Sequence, residues 1–147
     1  MKKTLLHILM HDGRLLLRAI EEELSPLGLH HGQGRILVAI ASAGAVTQAD
    51  LARRMDIKPA TVTNMLKPLA ANKLIHRETD PKTNRAMVVA LTADGQQACS
   101  EIQKAWERIE ERMSAELPDI DLEHLFALLE SIRSALGGND TPEANHS

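Results

Sequence analysis

Two helix-start signals set close together constrain this chain more than any other feature. Thr47-Gln48-Ala49-Asp50 puts a capping hydroxyl ahead of a helix and an acid at its third position, a shorter form of the capping box. Pro59 opens the next helix with its ring pre-set for a first turn. The first helix runs to about Met55, and Asp56-Ile57-Lys58 turns the chain. Two short helices joined by such a turn are a helix-turn-helix. A further proline, Pro68, lies inside the second helix. Its missing N–H orphans the carbonyl of Asn64, and the chain is expected to bend at or just before it. Val62, Leu66 and Leu69 form the inward stripe and should face the core despite that bend.

The segments "LIHRET" and "AMVVAL" follow, with Met87, Val89 and Leu91 alternating against Ala86, Val88 and Ala90. That is a strand pattern, and the polar "DPKTNR" between them makes a hairpin. A helix-turn-helix followed directly by a hairpin is a winged helix. Its second helix enters the major groove, and its hairpin tip reaches the backbone or the minor groove.

Charge is distributed to suit that role. The net charge of −3 alone argues against nucleic acid. From Thr47 to Thr92, however, eight basic side chains stand against four acidic ones, leaving nine against sixteen elsewhere. A basic middle between acidic ends is the part that meets a polyanion. Thr61, Thr63 and Asn64 are short polar residues near the start of the second helix. Asn pairs bidentately with adenine; Thr offers a hydroxyl to a base or phosphate and a methyl to thymine. Lys58 and Lys67 bracket them as phosphate contacts, and Arg53 and Arg54 sit on the preceding helix where it crosses the backbone. Pro59, Arg77, Lys82, Asn84 and Arg85 complete the candidate DNA-binding set.

The flanks are helical. Leu5, Leu9, Leu16, Ile20 and Leu24 stripe residues 3–25, with the pattern interrupted at Asp12-Gly13. "SPLGLHHG" is a turn, and "GRILVAIA" is a short buried helix, with a strand as the alternative. Thr92 caps a long helix striped by Ile102, Trp106, Ile109, Met113 and Leu117, which Pro118 ends. A last helix carries Leu122, Leu125, Leu129, Ile132 and Leu136. The polar "GGNDTPEANHS" is expected to be a disordered tail. With 44% hydrophobic residues but only 1% aromatic, the core is built from Leu, Ile, Val, Met and Ala.

The stretch "LARRMDIKPATVTNMLKPLAANKLIHRETDPKTNRAMVVALTADG" resembles the MarR family of transcriptional regulators. The "LI-x-R" into the hairpin, the "DP…R" wing and the closing "LT-x-x-G" carry the likeness, which extends over nearly the whole chain. It implies a mainly α fold with a small β-hairpin, over residues 1–136 as a single domain. Residues 47–92 would form the DNA-binding lobe, 1–30 and 93–136 the dimerisation helices, and 137–147 the tail. It also implies an obligate homodimer with interlocked terminal helices, each subunit offering one winged helix to half of a palindromic operator in double-stranded DNA. Arg85 matches the wing arginine that such proteins place in the minor groove. Four positions depart from the family pattern. Thr83 stands where an Asp commonly braces that arginine, Asn64 where Arg is frequent, Lys58 where a capping Ser is usual, and Lys73 where Gly ends the recognition helix. Asn72 or Lys73 must then adopt the turn conformation at some cost.

His11, Arg14 and Arg18 share one face of the first helix, and His30, His31 and Arg35 lie at the start of the second. The family often takes small aromatic acids in the cleft between dimerisation helices and winged helix, so the resemblance makes these six the candidate ligands for a small anionic, aromatic carboxylate-like effector that releases a repressor from its operator. The bland alternative is a solvated face, with the arginines paired to residues such as Glu21 and Glu22. His7 and His11 could hold a metal, and Cys99 could respond to oxidants, giving a metal- or redox-responsive regulator of the same fold. A winged helix serving only protein interaction is another reading. An enzyme is not expected, nor a cofactor: there is no Gly-rich phosphate loop, no Cys/His pairing at recognisable spacing and no carboxylate pair set in a predicted cleft. The lone cysteine fits a reducing cytoplasm, "TLLHILM" reads as a first helix rather than a signal peptide, and no stretch is long enough to span a membrane.

Overall fold

The computed structural model describes residues 2–138. Helix α1 (Leu5–Leu24) is capped by Thr4, whose hydroxyl accepts from the His7 N–H. A short 3-10 turn (Ser25–Leu27) leads to α2 (His31–Ala43), then β1 (Val46–Thr47), α3 (Gln48–Met55) and α4 (Pro59–Ala71). The hairpin strands β2 (Ile75–Thr79) and β3 (Met87–Leu91) follow, then α5 (Ala93–Glu116) and α6 (Leu122–Ala135). The expected tail lies outside the described residues from 139 onward.

The helix-turn-helix forms where its caps place it. The Asp50 N–H donates to the Thr47 hydroxyl at 3.1 Å. The Asp50 carboxylate pairs with Arg53 one turn on. Asp56 takes the left-handed conformation at φ 52° to end α3, and its N–H reaches the carbonyls of Ala52 and Arg53. Lys58 caps α4 with no side-chain hydrogen bond. The helix runs on past Pro68 to Ala71, and Val62, Leu66 and Leu69 are all fully buried.

The structure adds one short strand to the expected hairpin and bears out two of the expected helices. The hairpin is part of a three-stranded antiparallel sheet in the order β1-β3-β2, because Val46 and Thr47 pair with Val89 and Val88. Residues 34–41 are helix, as the sequence suggested, which removes the strand alternative. The first helix is continuous through Asp12-Gly13, since a glycine inside an exposed helix costs only about 1 kcal/mol.

The core lies where α2, α3, α4, the sheet and α5 converge. Leu24, Ile36, Leu37, Ile40, Leu51, Val62, Leu66, Leu69, Val89 and Ile102 are sealed from solvent. Burying one such aliphatic side chain contributes roughly 1.5–3 kcal/mol. α1 meets this core only near its end, through buried Leu24 and the partly buried Ile20, and α6 buries none of its residues.

Lys73 resolves the problem at the end of α4. It takes φ 60°, while Asn72 stays at φ −83°. The Leu74 N–H donates to Leu69 and the Lys73 N–H to Ala70, each at 3.0 Å. This is the paired bonding of a Schellman helix end, made without its usual glycine. Gly95, by contrast, is obligatory: a Cβ there would lie 1.9 Å from the Leu74 carbonyl oxygen. That contact is the physical content of the "LT-x-x-G" ending.

Candidate nucleic-acid interface

The outer side of the helix-turn-helix is polar and open. Arg53, Arg54, Lys58, Pro59, Thr61, Asn64 and Lys67 are exposed. Heptad-like spacing puts Thr61, Asn64 and Lys67 on one face of α4, opposite the sealed Val62–Leu66–Leu69 stripe. A groove of about 720 Å³ runs beside the turn, lined by Ala52, Arg53, Asp56, Ile57, Lys58 and Thr61 among others. Thr63 is half-buried, and its hydroxyl donates to the Pro59 carbonyl at 3.1 Å. Its proton is thus spent inside the helix, and only oxygen lone pairs remain for a partner.

The wing carries Lys82, Asn84 and Arg85 exposed at its tip. Asp80, which the sequence did not single out, organises it. The Asp80 N–H donates to the Ala86 carbonyl at 2.6 Å, and its carbonyl accepts from the Asn84 N–H at 2.8 Å. Its carboxylate accepts from the Lys82 N–H at 2.9 Å. An Asp before a proline in a polar turn is the signal that marks such a residue. Arg77 sits apart from this group. The register sets it opposite Val89, on the sheet face it shares with buried Ile75, and its Nε is buried without a hydrogen-bond partner.

The six effector candidates are not gathered in one cavity. His11, Arg14, Arg18, His30 and Arg35 are exposed. His31 is engaged: its backbone N–H donates to Oε1 of Glu21 at 3.0 Å, and its Nδ1 lies 3.1 Å from the same oxygen. The backbone bond, then the ring, hold the Glu21 carboxyl below the usual carboxylate range. A groove of about 610 Å³ lies instead between α1 and α5, lined by Asp12, Leu15, Leu16, Ile109, Arg112 and Met113 among others, and contains none of the six. Arg108 donates from Nε and Nη2 to Oε2 of Glu23 at 2.8 and 2.7 Å, tying α5 to α1, and that bond raises the Arg108 pKa. Cys99 is buried, and burial pushes its thiol up. Among the described residues no helix is long and apolar enough to cross a membrane.

A polar reading helix on a helix-turn-helix, with a cationic hairpin beside it, defines a winged-helix DNA-binding regulator of transcription rather than an enzyme. The chain belongs to the MarR family, whose profile matches residues 29–87. It is 28% identical to the uncharacterized HTH-type transcriptional regulator YwoH of Bacillus subtilis (strain 168), over 86% of this chain and 93% of that one. It is 28% identical to the multiple antibiotic resistance protein MarR of Salmonella typhimurium, over 78% of this chain and 81% of the relative. Its fold matches a MepR–DNA complex from S. aureus with a TM-score of 0.81 at 21% identity, covering 90% of this chain and 96% of that one. It also matches the reduced form of MarR from E. coli at 0.77 and 22%, over 90% of this chain and 98% of that one.

Proposed function

We propose that this regulator is a homodimeric repressor that reads a palindromic operator and is released by a small anionic, aromatic carboxylate-like effector. The observation that carries it is the two-sidedness of α4: one stripe sealed in the core, the other offering Thr61, Asn64 and Lys67 to solvent beside the cationic wing. Short hydroxyl and amide groups flanked by lysines and arginines suit base edges and phosphates. Relatives in the fold have been solved on DNA, MepR of S. aureus and MarR of E. coli among them.

Unpartnered apolar surface supports the dimer. Leu5 is 61% exposed, Phe126 58% and Leu136 81%, and they lie on the two terminal helices that make least use of the core. Large apolar side chains left uncovered along whole helices support an interface. Its size would lie above the standard class of ~1,200–2,000 Å². The effector reading rests on the cationic face of α1: helical spacing continues His11, Arg14 and Arg18 to Glu21, which already occupies His31. An oxidant-driven switch is disfavoured by the buried, undissociated thiol of Cys99.

Selection of bound duplexes from a random pool tests the reading. An inverted repeat with half-sites about 34 Å apart is expected. A pool that shows no enrichment, or a salt-independent retention, would sink it. Sedimentation should give a dimer at micromolar concentration, and a panel of aromatic acids should lower operator affinity by about five- to 150-fold.

A further inference from the structure

We propose that Asp80 and Asn84 are positioning residues for Arg85, aiming the wing arginine at DNA through the backbone of the turn. The inference rests on the DNA-binding reading above and concerns how this particular chain achieves it. Thr83, two residues before Arg85, is short and neutral and offers its guanidinium no carboxylate. Among the described residues the Arg85 guanidinium makes no hydrogen bond or ion pair within the chain. Its direction is therefore set by where its Cα stands and which way its Cβ points.

Both are fixed by two neighbours. Three hydrogen bonds radiate from Asp80 and span the tip: backbone N–H to Ala86, carbonyl from Asn84, carboxylate from the Lys82 N–H. The bond to Ala86 extends the ladder one step past the last strand pair, Thr79 and Met87. Asn84 then turns the chain with φ 55°, a left-handed conformation in which Asn is several-fold enriched over other non-glycine residues. Arg85 comes between that turn and the Ala86 closure. A change at either neighbour redirects the arginine without touching it.

Electrostatics and geometry make opposite demands here, so the test is sharp. Asp80 is an anion close to a polyanion's path; if charge were its whole effect, removing it would tighten binding. If it positions Arg85, removing it loosens binding. Affinity for the selected operator would be measured for Asp80→Ala, Asp80→Asn, Asn84→Ala and Asn84→Gly, each alone and with Arg85→Ala, at one salt concentration. Thermal melting of each variant checks that the fold persists. Asp80→Ala and Asn84→Ala should each weaken binding by about three- to tenfold. Asp80→Asn keeps the acceptor and Asn84→Gly accepts the left-handed turn, so each should recover most of the loss seen with its alanine counterpart. With Arg85→Ala present, neither alanine variant should cost anything further.

Tighter binding by Asp80→Ala would overturn the proposal. So would an Asn84→Gly as weak as Asn84→Ala, which would mean that the asparagine side chain itself touches DNA. So would penalties that persist in the Arg85→Ala background. Wild-type protein that selects no DNA would overturn the DNA-binding reading and this inference with it; the other three results overturn the inference alone.

Discussion

The Thr92 hydroxyl donates to the Lys73 carbonyl at 2.7 Å and accepts from the Gly95 N–H at 3.0 Å. One side chain thus ties the end of the recognition helix to the start of the long helix that leaves the lobe. The Thr92 N–H adds a bond to the Leu74 carbonyl at 3.0 Å. The hairpin springs from and returns to this one corner, and the corner contains both a strained lysine and an irreplaceable glycine.

Lys73→Gly should stabilise the protein. A non-glycine residue in the left-handed region costs about 1–2 kcal/mol, and the extra freedom glycine has when unfolded takes back about 0.4–1. The net gain is roughly 0.5–1 kcal/mol, or a few degrees in Tm for a chain this size. Differential scanning calorimetry showing no gain would mean that the lysine is not strained at φ 60°.

Gly95→Ala should do the reverse at the same corner. Its Cβ would meet a backbone carbonyl that already holds a hydrogen bond and cannot rotate away. A loss of about 3 kcal/mol or more in urea unfolding is expected, as for severe overpacking. A loss under about 1 kcal/mol would show that the corner gives way easily.

Asn64→Ala should relax preference at one base position by about 1–3 kcal/mol and leave the others alone. Arg85→Ala should weaken binding to all sequences, since a wing arginine acts through groove potential and phosphates. Substituted operators titrated against both proteins separate the two patterns; equal losses across every base change with Asn64→Ala would remove its direct-readout role.

Glu21 gives an acid-side dependence. Its folded pKa is depressed by His31, so its stabilising contribution is present above the unfolded value, about 4.3 for Glu, and is lost as pH falls through the lower folded value. Unfolding midpoints of wild type and Glu21→Gln should therefore differ near neutrality and converge in acid. A difference that persists undiminished below the folded value would contradict the bond to His31 as its cause.

Much of this lobe was legible because its signals are chemical and local. Thr47 and Pro59 announce helix starts through a hydroxyl and a ring, and the inward stripe of α4 repeats at helical spacing. β1 was not legible, because two residues carry no periodicity and gain their strand character only by meeting Val88 and Val89. Arg77 was grouped with the DNA contacts by its charge; only the pairing register, set by long-range partners, turns it to the sheet's inner face. Thr63 and His31 looked free because nothing in sequence shows that Pro59 and Glu21 claim them. Asp80 was passed over as a turn residue, although its three bonds organise the wing.

Thr47 closes the ladder onto Val88 and also caps α3. Thr92 does the equivalent work where the hairpin hands over to α5. Neither the wing nor the reading helix hangs from a slack strap. Tied at both ends, the lobe is built to move as one blade, and in the proposed dimer the gap between two blades would change by tilting each whole about the long helices. A small rotation near the α1–α2 joint would then be multiplied along the blade to its far edge, and an effector seated near that pivot would need little displacement to carry Arg85 out of step with a groove.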